Sequence, residues 1–256
     1  MMSDAITKHC RELNRCNQRG GRMLSVFDLL AAKTLDLNLA AYLMARISRG
    51  ASFMVGSVPG GAGKTTVMCA LLNFVPVDIP LIAATPEAVY KTSRATASSR
   101  ACYICHEIGS GQYFAYLWSD ALRAYCRLSE HGHILATNLH ADDLEEAREQ
   151  VCGDNGVRRE LFNRFELLIF LRIEGTYLKT RRRIEKVYSS DGISDHELLF
   201  DAANNKKIEP VGKGYVAETE YVGACRDFLG QMATGTRTIE QTRQEVVEFL
   251  AKNLSV

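Results

Sequence analysis

Residues 52–74 read SFMVGSVPGGAGKTTVMCALLNF. The apolar residues 52–55 predict a short buried strand, and residues 65–74 predict a helix. A glycine-rich loop joins the two. Proteins often hold phosphate groups where a strand runs through such a loop into a helix, so this stretch predicts an α/β fold built around a phosphate-binding loop.

The loop, residues 59–66, carries the residue types that phosphate binding needs. Backbone N–H groups at a helix N-terminus can surround phosphate oxygens, Lys64 adds positive charge, and the Thr65 hydroxyl can bind Mg²⁺. We therefore predict a site for ATP and Mg²⁺. Val58 stands where the usual pattern opens with glycine, and Gly56 and Gly60 are expected to compensate. The predicted nucleotide-binding residues are Gly60, Gly61, Ala62, Gly63, Lys64, Thr65 and Thr66.

The rest of the chain alternates predicted strands with predicted helices up to residue 175. This alternation favours a mostly parallel sheet that is covered on both faces. Beyond residue 175 we predict antiparallel strands around a turn at residues 189–192, then two tail helices divided near Gly235. The predicted strands are 52–55, 80–84, 102–105, 134–137, 167–173, 177–188 and 197–200, and the predicted helices are 36–49, 65–74, 113–128 and 142–151.

We predict a leader helix in residues 1–22, which would serve as an appendage or docking helix, followed by one domain in residues 23–256. Within that domain, residues 175–216 form the predicted antiparallel extension and residues 217–256 the helical tail. The predicted fold class is α/β, with a RecA-like P-loop core.

Composition excludes several other classes of protein. The chain has 256 residues, 46% of them apolar and 24% charged, which is typical of a globular domain. Its net charge of +1 provides no field for nucleic acid, and we expect no nucleic-acid partner. The sequence contains no apolar run long enough to span a membrane, and the eight cysteines suit a reducing compartment. A cytoplasmic location is expected.

An acidic residue should complete the site. P-loop enzymes need a carboxylate at the end of a neighbouring buried strand, where it holds the shell of Mg²⁺ or polarises the attacking water. Glu107 follows the apolar residues 102–105 and is the predicted catalytic and Mg²⁺-binding acid, alongside Thr65 as the second predicted metal-binding residue. An exposed carboxylate at a strand end is the alternative.

Residues 131–142 read HGHILATNLHAD. This stretch resembles the histidine box of the type II/type IV secretion ATPase superfamily, and residues 24–30 and 40–43 are similar to its archaeal pilus and archaellum branch. The resemblance covers about residues 22–253. It implies a homo-oligomeric, usually hexameric ring on the cytoplasmic face of an integral membrane platform. It also places His140 near the γ-phosphate; a purely structural histidine is the alternative.

The chain departs from the family pattern in its acids and in one arginine. The matching acidic box reads IAATPE over residues 82–87, so alanines replace two acids and Glu87 is the remaining catalytic candidate. Gly109 stands where the family has an arginine. Because positioned charges provide most of the rate in phosphoryl transfer, turnover could be slow or absent. The roughly fifty residues before the loop are also too few for the family's N-terminal domain, so either the chain is a reduced member or a partner supplies that domain.

Two functions of different class therefore remain: a Mg²⁺-dependent ATP hydrolase that drives secretion or filament assembly, and a nucleotide-binding regulator or structural subunit with weakened catalysis. A small-molecule kinase ranks last, because its arginine-rich lid would have to come from residues 181–183, which favour a solvated strand face. In a ring, an arginine of an adjacent subunit could reach the γ-phosphate. The candidates are Arg94, Arg100, Arg123, Arg127 and Arg148.

Overall fold

The computed structural model describes residues 3–17, 22–58, 60–95, 98–176, 179–206, 216–233 and 237–254. Within these ranges the strands are β1 Phe53–Gly56, β2 Leu81–Ala83, β3 Cys102–Cys105, β4 Glu107–Ile108, β5 Tyr116–Leu117, β6 Ile134–Leu139, β7 Leu167–Thr176, β8 Lys179–Ser189 and β9 Glu197–Asp201. The α-helices are α1 Asp4–Arg15, α2 Val26–Ala31, α3 Leu37–Ser48, α4 Lys64–Leu72, α5 Pro86–Ser93, α6 Ser119–Arg127, α7 Leu144–Arg148, α8 Arg159–Asn163, α9 Val216–Met232 and α10 Ile239–Asn253.

The described strands form one large, mostly parallel sheet in the order β2-β3-β6-β1-β7-β8-β9. The first five of these strands run parallel, whereas β8 and β9 are antiparallel to their neighbours. The short strands β4 and β5 form a separate parallel pair. The predicted α/β class, antiparallel extension and C-terminal helices are confirmed, although residues 177–178 and 207–215 of the extension and Gly235 lie outside the described ranges.

Helices cover both faces of the sheet, and its central strands are buried and largely apolar. Phe53 and Val55 point into a core shared with α2, α3, α4, α9 and α10, while Met54 points into a core shared with α5, α6 and α8. All residues of β1, β3 and β6 are buried. This matches the continuous apolar runs expected of parallel strands with helices on both sides.

Helix α1 is docked on the body of the protein. Its Leu13 belongs to the core that contains α4, and the helix packs on α10 and β2. Ser3 caps its first turn by accepting a hydrogen bond from the N–H of Ile6. Residues 18–21 lie outside the described ranges, so the domain boundary after residue 22 stays a prediction.

Several helices differ from the sequence predictions. Helix α8 was not predicted, and the helix predicted over residues 142–151 contains α7 only over Leu144–Arg148. The helix expected over residues 113–128 begins only at Ser119, because Tyr116 and Leu117 pair with β4 and Ala115 adopts a positive φ of 55°. Helix α5 was not predicted at all. Its signal lay in the sequence, since Thr85 caps the helix through the N–H of Ala88 and Pro86 occupies the first turn. None of the described helices combines the length and apolar character needed to cross a bilayer.

Candidate functional site

The sheet places the glycine loop at the edge where the parallel strands end. β1 lies between β6 and β7, and the chain passes from β1 into the loop and then into α4. The residues that follow β3 and β6 emerge at the same edge, because parallel strands share a direction. In open α/β sheets this edge is where ligands bind.

Backbone conformation within the loop depends on glycine. Gly61 and Gly63 have φ values of 87° and 96°, in the left-handed region that side chains disfavour. Gly63 is the N-cap of α4, whose first turn begins with Lys64, Thr65 and Thr66. The N–H groups of a first helical turn have no acceptors within the helix and carry partial positive charge, so this turn can accept an anion. Pro59 lies outside the described residues.

Lys64 is the centre of a buried polar cluster. Its Nζ donates to the Ser57 carbonyl oxygen at 2.9 Å, lies 3.3 Å from His140 Nδ1 and lies 3.5 Å from Glu107 Oε1. The side chains of Lys64 and Glu107 are only 8% and 9% exposed. The structure therefore brings together the lysine of α4, the acid after β3 and the histidine after β6.

Burial changes the acidity of Glu107. Desolvation raises its pKa above the ordinary glutamate value, while the positive charge of Lys64 and the nearby His140 act in the opposite direction. A carboxyl group with a raised pKa holds a proton more readily than a surface glutamate does. Such a group is suited to receive a proton from a water molecule.

His140 bridges the lysine and the acid. Its side chain is half exposed, and its Nε2 lies 3.7 Å from Glu107 Oε1. The Val58 carbonyl oxygen lies 3.4 Å from Nδ1 and favours a proton there. An ammonium group has only donors, so a hydrogen bond from Lys64 instead requires Nδ1 to act as acceptor and places the ring proton on Nε2. In that tautomer the Nε2–H faces the carboxylate of Glu107.

Asn138, the penultimate residue of β6, links the site to the backbone beside Glu107. Its Nδ2 donates to the His106 carbonyl oxygen at 2.8 Å and approaches Thr65 Oγ1 at 3.4 Å. Its buried Oδ1, like the Oγ of Ser57, has no hydrogen-bond partner within the part of the chain that the structure describes. Buried polar atoms of this kind usually need a partner, so these two atoms are available to a ligand or to water.

Two further residues contact the loop, and the sequence did not predict either of them there. Asp142, in the segment between β6 and α7, accepts a hydrogen bond from the Val58 N–H at 2.7 Å. Arg182, on β8, donates from Nε to the Gly61 carbonyl oxygen at 3.1 Å. Asp142 belongs to the histidine-box stretch and could have been found there. Arg182 became apparent only from the pairing of β8 with β7.

The structure does not bring Glu87 to this cluster. Glu87 is exposed in the first turn of α5, and no hydrogen bond or ion pair joins it to Lys64, Glu107 or His140 among the described residues. Helix α5 follows β2, and β3 and β6 separate β2 from β1. At about 4.8 Å per strand, the ends of β1 and β2 are roughly 14 Å apart.

Comparisons with known proteins find similarity among solved structures only. No protein-family model and no curated protein sequence matches the chain. One similar structure is the VirB11 ATPase from the Brucella suis type IV secretion system in complex with sulphate, at 18% sequence identity and a TM-score of 0.44. The match covers 73% of this chain and 57% of the VirB11 chain.

Proposed function

We propose that this chain binds ATP with Mg²⁺ at the loop between β1 and α4 and hydrolyses the nucleotide. The observation that carries the proposal is the convergence of Lys64, Glu107 and His140 beside the glycine loop. A lysine that stabilises phosphate charge and a carboxylate that can accept a proton are what phosphoryl transfer to water requires.

The residues present fit the proposed ligands. A nucleotide phosphate would meet the N–H groups at the start of α4 and the ammonium group of Lys64, and the position of Gly60 leaves open space. The Thr65 hydroxyl and the Glu107 carboxylate are the hard oxygen groups that would hold Mg²⁺ directly or through its water shell. When bound, Mg²⁺ supplies positive charge that neutralises the phosphate oxygens.

Catalysis by this chain would depend on Glu107. Its raised pKa suits it to take a proton from the attacking water, and the Nε2–H of His140 would orient its carboxylate. Gly109 leaves the position after the acidic strand without a positive charge. We therefore expect the chain to bind ATP but to hydrolyse it slowly.

The cellular role is proposed from the resemblance of residues 131–142 to the secretion ATPase histidine box. In that role the chain forms a ring, hexameric as in the family, at the cytoplasmic face of a membrane secretion or filament-assembly platform. The second candidate is a nucleotide-binding regulator or structural subunit. The exposed position of Glu87, together with Ala83 and Ala84 in the place of acids, favours that candidate.

The test is nucleotide binding beside steady-state phosphate release with Mg-ATP, measured at several protein concentrations. We expect Lys64→Ala to lose binding, and Glu107→Gln to keep binding while turnover falls about a hundredfold or more. Glu87→Gln is the matched control and should retain the parent rate. Specific activity that rises with protein concentration would support a ring.

Each contrary outcome has a distinct meaning. If only Lys64→Ala loses nucleotide binding and no form of the protein releases phosphate, the hydrolase is excluded. The nucleotide-binding regulator or structural subunit is then the remaining candidate. Absence of nucleotide binding by the parent chain would contradict both candidates.

A further inference from the structure

Arg182 approaches the glycine loop from the side opposite to Glu107. Its Nε donates to the Gly61 carbonyl oxygen, and a Cβ atom built on Gly63 would lie 3.4 Å from Arg182 Cδ. The side chain therefore lies against the turn that leads into α4. We infer that Arg182 is a phosphate-binding residue, supplied by the same chain, which contacts the α- and β-phosphates of the nucleotide; this inference rests on the proposed function.

Strand geometry directs Arg182, and not its neighbours, toward the loop. Alternate residues of a strand face opposite sides of the sheet, so Arg182 shares a face with Ile184. Ile184 belongs to the core that also contains residues of α4, the helix that follows the loop. Arg181 and Arg183 face the other side, where Arg183 forms an ion pair with Glu174 at 2.7 Å. The run of three arginines is thus divided between two faces.

The order of the strands indicates which phosphates Arg182 would meet. Glu107 follows β3 and His140 follows β6, on one side of β1, whereas β7 and β8 lie on the other side. A P-loop lysine reaches the β- and γ-phosphates, and the loop amides surround the phosphates behind them. The γ-phosphate would therefore lie toward Lys64 and Glu107, and the α-phosphate toward β8 and Arg182.

The negative charges at the site favour a second positively charged side chain near the phosphates. The positive charge of Lys64 lies 3.5 Å from the Glu107 carboxylate, and Asp142 adds another negative charge at Val58. A triphosphate brings several more negative charges to the same loop. A guanidinium group is always charged and presents a planar set of donors that fits phosphate oxygens. Arg182 is exposed, so it can rotate from the Gly61 carbonyl toward a bound phosphate without opening the core.

The test is calorimetric titration of the full chain with ATP, ADP and adenosine. We expect Arg182→Gln to weaken ATP and ADP binding by the same factor, about ten- to a hundredfold for a lost charged hydrogen bond. Adenosine affinity should not change, because adenosine has no phosphate to contact. Arg182→Lys retains the charge and should lose less affinity than Arg182→Gln. Arg181→Gln removes the same charge on the opposite face and should stay within about twofold of the parent.

The outcomes separate this inference from the proposed function. If the parent binds ATP and Arg182→Gln binds it equally well, the inference is overturned and the proposed function stands. If only ATP affinity falls, Arg182 acts at the γ-phosphate, and the inference that it contacts the α- and β-phosphates is also overturned. A parent chain that binds no nucleotide would contradict the proposed function, and the inference with it. The inference is supported if ADP and ATP lose affinity equally and the loss becomes smaller at high salt. A purely structural role of Arg182 at Gly61 would not depend on salt.

Discussion

Lys64 Nζ lies 3.5 Å from Glu107 Oε1, and the two side chains are almost fully buried together at the end of the sheet. Removing a charged group from water is costly, so each of these groups depends on the other. The raised pKa of Glu107 shows that burial outweighs the attraction of Lys64. The Glu107 carboxylate is therefore less stable as an anion than a surface glutamate is, even with Lys64 beside it.

The first prediction concerns the stability of this pair. Lys64→Met should lower the free energy of unfolding at pH 8 by about 3–5 kcal/mol, because it leaves the Glu107 carboxylate buried without its partner. The double variant with Glu107→Gln should recover part of that loss. Urea unfolding measures both, and Lys91→Met, at an exposed lysine of α5, serves as control. A double variant no more stable than Lys64→Met would show that the pair is not the cause.

The second prediction concerns Asp142, whose carboxylate accepts a hydrogen bond from the Val58 N–H. A negative charge at the loop opposes a bound phosphate, so Asp142→Asn should tighten ADP binding several-fold at low salt. Salt screens the repulsion, and the difference should shrink as ionic strength rises. Titration at two salt concentrations measures it. Asp195→Asn removes the same charge at a surface ion pair with Arg159 and should leave affinity unchanged, whereas a salt-independent gain would point to a loop rearrangement.

The sequence was sufficient for the part of the site that depends on local pattern. The loop, Lys64 and Thr65 follow from a strand, a glycine run and a helix in succession. Glu107 and His140 could be placed beside them because the ends of parallel strands share one edge of a sheet. The structure confirms that these elements meet at that edge.

The order of the strands, and therefore the distances between residues across the sheet, could not be derived from the sequence. Glu87 ends up away from Lys64 because two strands lie between β2 and β1, an order that the sequence does not reveal. Arg182 looked like part of a solvated face, since its position at the loop depends on how β8 pairs with β7. The late start of α6 has a similar origin, because the pairing of β5 with β4 overrides local helical preference.

The third prediction concerns acid sensitivity at the junction of α1 and α10. Arg243 is fully buried, and its Nη2 lies 2.8 Å from His9 Nδ1. Burial, together with the charge of Arg243, lowers the pKa of His9 to about 3. The unfolded chain takes up a proton near pH 6.5 and the folded chain does not, so stability falls as pH falls from 6.5 toward 3. The slope from this group is at most about 1.4 kcal/mol per pH unit.

His9→Gln should flatten this slope, because glutamine can still accept a hydrogen bond from Arg243 and has no proton to gain. Urea unfolding from pH 7 to pH 4 measures the effect. The control is His131→Gln, at an exposed histidine, which should keep the parent slope. An unchanged slope in His9→Gln would assign the acid sensitivity to other groups.

The last prediction concerns the buried thiol that ends the leader helix. Hydrogen bonds from Cys69 and His106 lower the pKa of Cys16 to about 6 against the effect of burial, and its Sγ lies 3.3 Å from His106 Nε2. Between pH 6 and the ordinary thiol value near 9, the folded chain holds a thiolate while the unfolded chain keeps its proton. Stability from this group should therefore rise with pH across that window.

Cys16→Ser should abolish both this rise and the ultraviolet absorbance of the thiolate near pH 7. Cys10→Ser should preserve both, because burial raises the pKa of Cys10 to about 11; a thiolate signal that persists in Cys16→Ser would contradict the assignment.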